Sequence, residues 1–210
     1  MDTHVHNRTL GQATQPWNKG KLTGAKPPLS PKHVWAIRTR LLLLKRFRDL
    51  ALFNLAIDSK LRGCDLVGLR VADVAPHGYA VDRASVRQRK TGRPVRFEIT
   101  EQTRQAIDDH LSRRTDASSP YLFPGRGPAG HLTTRQYARL LERWLTMVDL
   151  DPCLYSTHSL RRTKATLIYK KTGILRAVQL LLGHTKIEST VRYLGIEVDD
   201  ALAVAEKIDV

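Results

Sequence analysis

The sequence predicts a mixed α/β fold, mainly α-helical with a small antiparallel β-sheet. Three observations carry that expectation. From Ser30 onward apolar residues recur at helical spacing over most of the chain. Residues 79–99 change instead to the two-residue period of extended chain, around a turn sequence. With 210 residues, 41% of them hydrophobic, the chain is long enough to bury one sizeable core.

Residues 1–30 lack hydrophobic periodicity and are rich in Gly, Pro, Asn, Thr and Lys. They read as a basic N-terminal arm, either extended along a partner or a plain tail. Ser30 before Pro31 starts a helix, with Ser as N-cap and Pro in the first helical position. Val34, Ile37, Leu41 and Leu44 carry that helix to about Arg46. A second runs from about Phe47 to Ser59, where Leu50, Leu52, Phe53, Leu55 and Ile57 give a wide apolar surface. Residues 64–74 form a short helix and a connection. Val86, Gln88 and Lys90 would share one face of a strand. Val95, Phe97 and Ile99 alternate after Thr91-Gly92-Arg93-Pro94, which predicts a β-hairpin with Lys90 at its turn. Thr100 caps a helix over 101–113, and residues 118–130 form a Pro/Gly-rich loop. Helices are then expected over 133–148, 159–171, 174–182, 187–193 and 197–207.

Charge narrows the partners. Lys and Arg outnumber Asp and Glu by 35 to 20, for a net charge of +15 and a pI near 10.3. Such an excess points to a polyanion, nucleic acid before an anionic membrane. No apolar run reaches the length of about 18 residues that a spanning helix needs. Cys64 and Cys153 belong to no metal-spaced cluster. They read as reduced thiols of a cytoplasmic protein, with Cys64 buried. No metal and no cofactor is implied.

Phosphoryl transfer without a metal needs cations on the non-bridging oxygens, a nucleophile, and an acid for the leaving oxygen. Arginine suits the first task because its planar fork matches two phosphate oxygens and keeps its charge. Three segments offer candidates. In Ser59-Lys60-Leu61-Arg62-Gly63-Cys64-Asp65-Leu66, Arg62 follows an apolar helix and Asp65 could orient it. In Thr157-His158-Ser159-Leu160-Arg161, the His and Arg share a face at a helix start. In Leu182-Gly183-His184, a glycine closes one helix and a His follows, with Tyr193 nine residues on. Taken singly, each has an ordinary reading as well: Arg62 as a surface side chain, His184 as a packing residue, Tyr193 as a core aromatic.

Taken together, these segments resemble the tyrosine recombinase (phage integrase) family over about residues 32–207. The family's first arginine box matches Ser59-Lys60-Leu61-Arg62 with Asp65-Leu66, and its hairpin lysine matches Lys90-Thr91-Gly92. Its His-x-x-Arg box matches His158 and Arg161, its Leu-Gly-His box matches Leu182-Gly183-His184, and its nucleophile matches Tyr193. Lys60 departs from the pattern, where a Gly is usual. Most members also carry a DNA-clamping domain before the catalytic one, whereas about 30 residues precede it here, a size similar to the short fimbrial-type DNA invertases.

The resemblance implies an integrase-like catalytic domain over 31–210 that cleaves and rejoins DNA through a 3′-phosphotyrosyl bond to Tyr193. Arg62 and Arg161 would hold the phosphate, with Asp65 in support. Lys90 would protonate the leaving 5′-oxygen, His158 would take or steer the tyrosine proton, and His184 would hydrogen-bond the phosphate. Lys19, Lys21, Lys26, Arg87, Arg89, Arg93, Arg162 and Lys164 are candidate DNA contacts. Expected partners are double-stranded DNA, further copies of the chain in a tetrameric synapse (the free protein being monomeric), and an accessory DNA-bending protein, in the cytoplasm at the nucleoid. The alternatives are a type IB topoisomerase-like nicking-closing enzyme and a DNA-binding regulator that retains the fold.

Overall fold

A computed structural model describes residues 26–116, 118–126, 130–196 and Glu206. Lys19 and Lys21, and the helix expected over 197–207 apart from Glu206, lie outside the described residues.

Helix α1 (Pro31–Leu43) begins as the Ser30-Pro31 pair dictates, with the Ser30 hydroxyl accepting from the His33 N–H at 3.3 Å. It buries Val34, Ile37 and Leu41 but stops before Leu44, which is exposed. The chain turns at Lys45 into α2 (Phe47–Ser59), whose side chains from Asp49 to Ser59 are all buried. Such burial follows from its place, with α1, α5, α7 and the second hairpin strand packed around it. Each fully buried Leu or Phe of α2 contributes about 1.5–3 kcal/mol. The helix ends at Lys60, which takes the left-handed conformation with φ 53°. That conformation costs a residue with a Cβ roughly 1–2 kcal/mol.

Two short helices follow, α3 (Gly63–Val67) and α4 (Val71–Val74), then strands β1 (Arg83–Arg87) and β2 (Pro94–Glu98). The strands pair antiparallel, Ala84 opposite Phe97 and Val86 opposite Val95, with Ala84, Val95 and Phe97 turned inward. β1 ends at Arg87, so Gln88 and Lys90 do not share a strand face: Gln88 is buried and Lys90 exposed in the turn. Helix α5 (Glu101–Ser112) starts after Thr100, whose hydroxyl donates to Asp58 at 2.7 Å and makes no capping bond. Helix α6 (Thr134–Thr146) opens with a reciprocal Thr133–Gln136 capping box. It buries Tyr137, Leu141, Trp144 and Leu145, with Trp144 edge-on to Phe53 and donating to Asp49. A single 3₁₀ turn leads to α7 (Thr157–Thr172), α8 (Leu175–Leu182) and α9 (Ile187–Leu194).

The main core joins α1, α2, α5, α6 and the hairpin. A second, much smaller among the described residues, contains Ala165, Val178 and Leu182, with Ile168, Tyr169, Tyr193 and Leu194 packed against it. Cys64 is half-buried rather than buried, and Cys153 is exposed. Among the described residues, no helix is long and apolar enough to cross a membrane.

Candidate active site

Five chain segments deliver the predicted residues to one place. The turn after α2 brings Arg62, the hairpin turn Lys90, the start of α7 His158 and Arg161, the α8–α9 turn His184, and α9 Tyr193. Their shared surroundings show in the electrostatics: His158 feels Arg161, Arg162, Arg62 and Lys90, and His184 feels Arg161 and Arg62.

The two arginines are held by a common frame. Arg161 is 2% exposed, and its Nη2 donates to the Leu182 carbonyl at 2.9 Å. Arg62 Nη1 donates to Gln88 Oε1 at 2.6 Å. Gln88 also accepts from the Thr91 hydroxyl at 2.9 Å, and its Nε2 donates to the same Leu182 carbonyl at 3.4 Å. Leu182 ends α8, so its carbonyl has no partner within the helix and is free to take both donors. Gly183 makes this approach possible. Its φ is +66°, and a Cβ there would lie 2.6 Å from Val95 Cγ2 and 3.2 Å from Gln88 Nε2. Arg161 Nη1 is buried with no hydrogen-bond partner.

Around this frame stand the tyrosine and the histidines. The rings of Tyr193 and His184 meet edge to face, with centroids 5.5 Å apart. The guanidinium carbons of Arg162 and Arg161 lie 4.8 and 5.9 Å from the Tyr193 ring centroid. The Tyr193 hydroxyl is buried and makes no hydrogen bond. Burial pushes the phenol up, against the pull of Arg161 and Arg162. His184 Nδ1 lies 3.1 Å from the Thr190 hydroxyl, and burial, with Arg161 and Arg62 nearby, lowers its pKa to about 4. His158 keeps an exposed edge, yet burial of the rest of its ring and the cations around it lower it too. Both imidazoles are therefore neutral at pH 7, and a neutral imidazole can accept a proton.

Other predicted residues stand differently. Asp65 is not bonded to Arg62; its Oδ1 accepts from the Arg89 backbone N–H at 2.8 Å and so ties down the hairpin turn beside Lys90. Arg87 and Arg93 are exposed, and Arg87 donates to the Gly92 carbonyl across the turn. Arg89 Nη2 lies 3.3 Å from His131 Nε2. Arg162 and Lys164, expected to face DNA, turn inward. Because α7 packs against α2 on one side and α8 and α9 on the other, residues 159–163 are all buried. Arg162 is 8% exposed and donates to the Lys26 carbonyl at 2.8 Å. Lys164 pairs with Asp58 at 2.8 Å and Glu98 at 2.7 Å. Lys26 is likewise engaged, donating to the Cys153 and Tyr155 carbonyls. Sequence reasoning missed Gln88 as a part of the site. Its only mark in the sequence is a polar side chain two residues before Lys90.

Comparison with known proteins bears on the family and the fold. Residues 38–198 match the phage integrase family. Tyrosine recombinase XerC of Erythrobacter litoralis is 31% identical over 163 residues, which are 76% of this chain and 50% of that protein. Tyrosine recombinase XerD of Bradyrhizobium diazoefficiens is 33% identical over 165 residues, 72% of this chain and 50% of that one. The chain thus spans about half the length of these curated relatives. In fold it is similar to the crystal structure of XerA recombinase, with a TM-score of 0.68 and 21% identity over 86% of this chain and 64% of that one. By sequence and fold alike, the chain belongs to the phage integrase family, the tyrosine recombinases.

Proposed function

We propose that the chain is the catalytic part of a site-specific DNA recombinase, with Tyr193 as nucleophile. One observation supports the reading above the rest: Arg161 Nη1 is buried without a hydrogen-bond partner, and its guanidinium lies 5.9 Å from the ring of Tyr193, whose hydroxyl is unpartnered too. A buried guanidinium N–H left without an acceptor costs about 1–3 kcal/mol or more. A phosphate oxygen would supply that acceptor. Arg62, braced by Gln88, would hold a second oxygen, so negative charge gained in the transition state meets two fixed cations.

Tyr193 would be neutral at rest, and neutral His158 would take its proton as the phenolic oxygen bonds to phosphorus. The phosphorus–5′-oxygen bond breaks, and Lys90 gives that oxygen a proton. A 3′-phosphotyrosyl bond and a free 5′-hydroxyl result. Attack by a 5′-hydroxyl reverses the steps, so the bond energy is kept and no ATP is needed. His184, neutral, would donate to a phosphate oxygen.

In this reading residues 31–210 form the catalytic domain, Lys26 and Leu29 are bonded to it, and residues 1–25 form an arm along the DNA backbone. The substrate is double-stranded DNA, joined by four protomers in a synapse at the nucleoid. The test is incubation of wild type and Tyr193→Phe with nicked duplexes from the DNA flanking its gene. A denaturant-resistant protein–DNA adduct with wild type alone supports the proposal. Binding without an adduct from any of these duplexes would instead favour a regulator that retains the fold.

A further inference from the structure

Two residues before Arg62 begins a cluster of charge, buried at Lys60 and Asp58 and reaching the surface at Glu98, that the proposed chemistry does not use. Lys60 is 1% exposed, and its Nζ donates to the Asp58 carbonyl at 2.6 Å and to the two Glu98 carboxylate oxygens at 3.1 and 3.2 Å. Lys164 bridges the same Glu98, at 2.7 Å, to the Asp58 carboxylate, at 2.8 Å. The other Asp58 oxygen accepts from the Thr100 N–H and hydroxyl and from the Thr103 hydroxyl. Two ammonium groups meet two carboxylates, so the cluster is electrically balanced where imbalance would be costly.

Its members join the segments that carry the site. Asp58 and Lys60 end α2 and lead within two residues to Arg62. Glu98 closes β2 of the hairpin that presents Lys90. Lys164 lies one turn after Arg161 on α7. Lys60 also occupies a left-handed position where a side chain is disfavoured, and its ammonium ties the turn to the Asp58 carbonyl and to Glu98 of the hairpin. Burial lowers the Lys60 ammonium, whereas Asp58 and Glu98 outweigh burial and raise Lys164.

We propose that Lys60 is a positioning residue, which through Glu98 and Lys164 sets Arg62 against the hairpin and α7. This rests on the recombinase reading above. If the cluster served stability alone, restoring its charge balance would restore everything. If it positions Arg62, it would not.

The test compares wild type, Lys60→Met and the double variant Lys60→Met/Glu98→Gln, which again balances one lysine against one carboxylate. Adduct formation on a nicked duplex at saturating DNA, DNA affinity and melting temperature are read for each. Lys60→Met should slow adduct formation on the order of 10- to 100-fold with DNA affinity little changed, since small displacements of a positioning group act mainly on the chemical step. The double variant should regain melting temperature while its adduct formation stays slow. Full-speed adduct formation by either variant overturns the proposal. If wild type forms no adduct, the recombinase reading fails, and the cluster is judged by the arginine side-chain NMR signals of the intact protein. The Arg62 signal, assigned with Arg62→Lys, must move or broaden in both variants; an unchanged signal overturns the proposal on its own terms.

Discussion

Gln88 Oε1 accepts from Arg62 Nη1 at 2.6 Å, while the amide nitrogen of the same side chain reaches the carbonyl that Arg161 holds. Two cations that would repel each other are thereby fixed to one uncharged group and one helix end. Their spacing is set before any phosphate arrives, which is the condition for electrostatic stabilisation without reorganisation.

Gln88→Ala should therefore lower the rate of adduct formation by about 10- to 100-fold at saturating DNA. Affinity should change far less, because both arginines keep their charge. Single-turnover cleavage of a nicked duplex checks this. A loss confined to affinity would show that Gln88 merely shapes the binding surface.

Acid should act on the two histidines. The folded His184 titrates near 4, against an ordinary value of 6.5, and His158 is lowered as well. Between pH 6.5 and 4 the unfolded chain takes up protons that the folded chain refuses, so stability must fall as pH falls through that window. His184→Gln should flatten the fall in urea titrations run at pH 7.5, 6 and 5. Bound DNA phosphate would offset Arg62 and Arg161 and raise His184, so binding near pH 5 should take up protons. Calorimetry in buffers of different ionisation enthalpy measures that uptake.

Salt dependence should separate outward from inward cations. Arg93→Ala, at an exposed hairpin position, should reduce the slope of log affinity against log salt by about 1 if the residue contacts a phosphate. Lys164→Met should leave the slope unchanged and lower melting temperature, since Lys164 neutralises Asp58 and Glu98. A reduced slope in Lys164→Met would mean that the cluster opens on DNA.

Gly183→Ala should be destabilising by about 1–3 kcal/mol, from a left-handed conformation and a Cβ driven toward Val95. Chemical denaturation gives the value. Adduct formation should fall as well, because the Leu182 carbonyl beside it would be displaced from Arg161 and Gln88.

Much of this was legible in the sequence where local rules govern. Ser30-Pro31 fixes the start of α1, Thr91-Gly92 marks the turn that carries Lys90, and Gly183 ends α8 just before His184. What was not legible depends on partners far away in the chain. Arg162 and Lys164 look like any exposed cations of a basic protein until α7 is packed on two sides. Lys60 stood out as a departure from glycine, but its partner Glu98 lies 38 residues away, and nothing local announces the pairing. Asp65 was placed beside Arg62 by proximity in sequence, whereas its carboxylate found the backbone of Arg89.

Tyr193 packs on the small apolar cluster of Ala165, Val178 and Leu182, whereas Arg62 is anchored to the large core through α2. Reactivity and global foldedness therefore need not fail together. A cluster of the size found among the described residues should open at a lower free energy than the whole domain, as sub-global unfolding units do. Warming should displace Tyr193, the proposed nucleophile, at temperatures below those at which the rest of the molecule melts as one cooperative body. The working range of the proposed reaction would then be bounded by the endurance of side chains around α8 and α9.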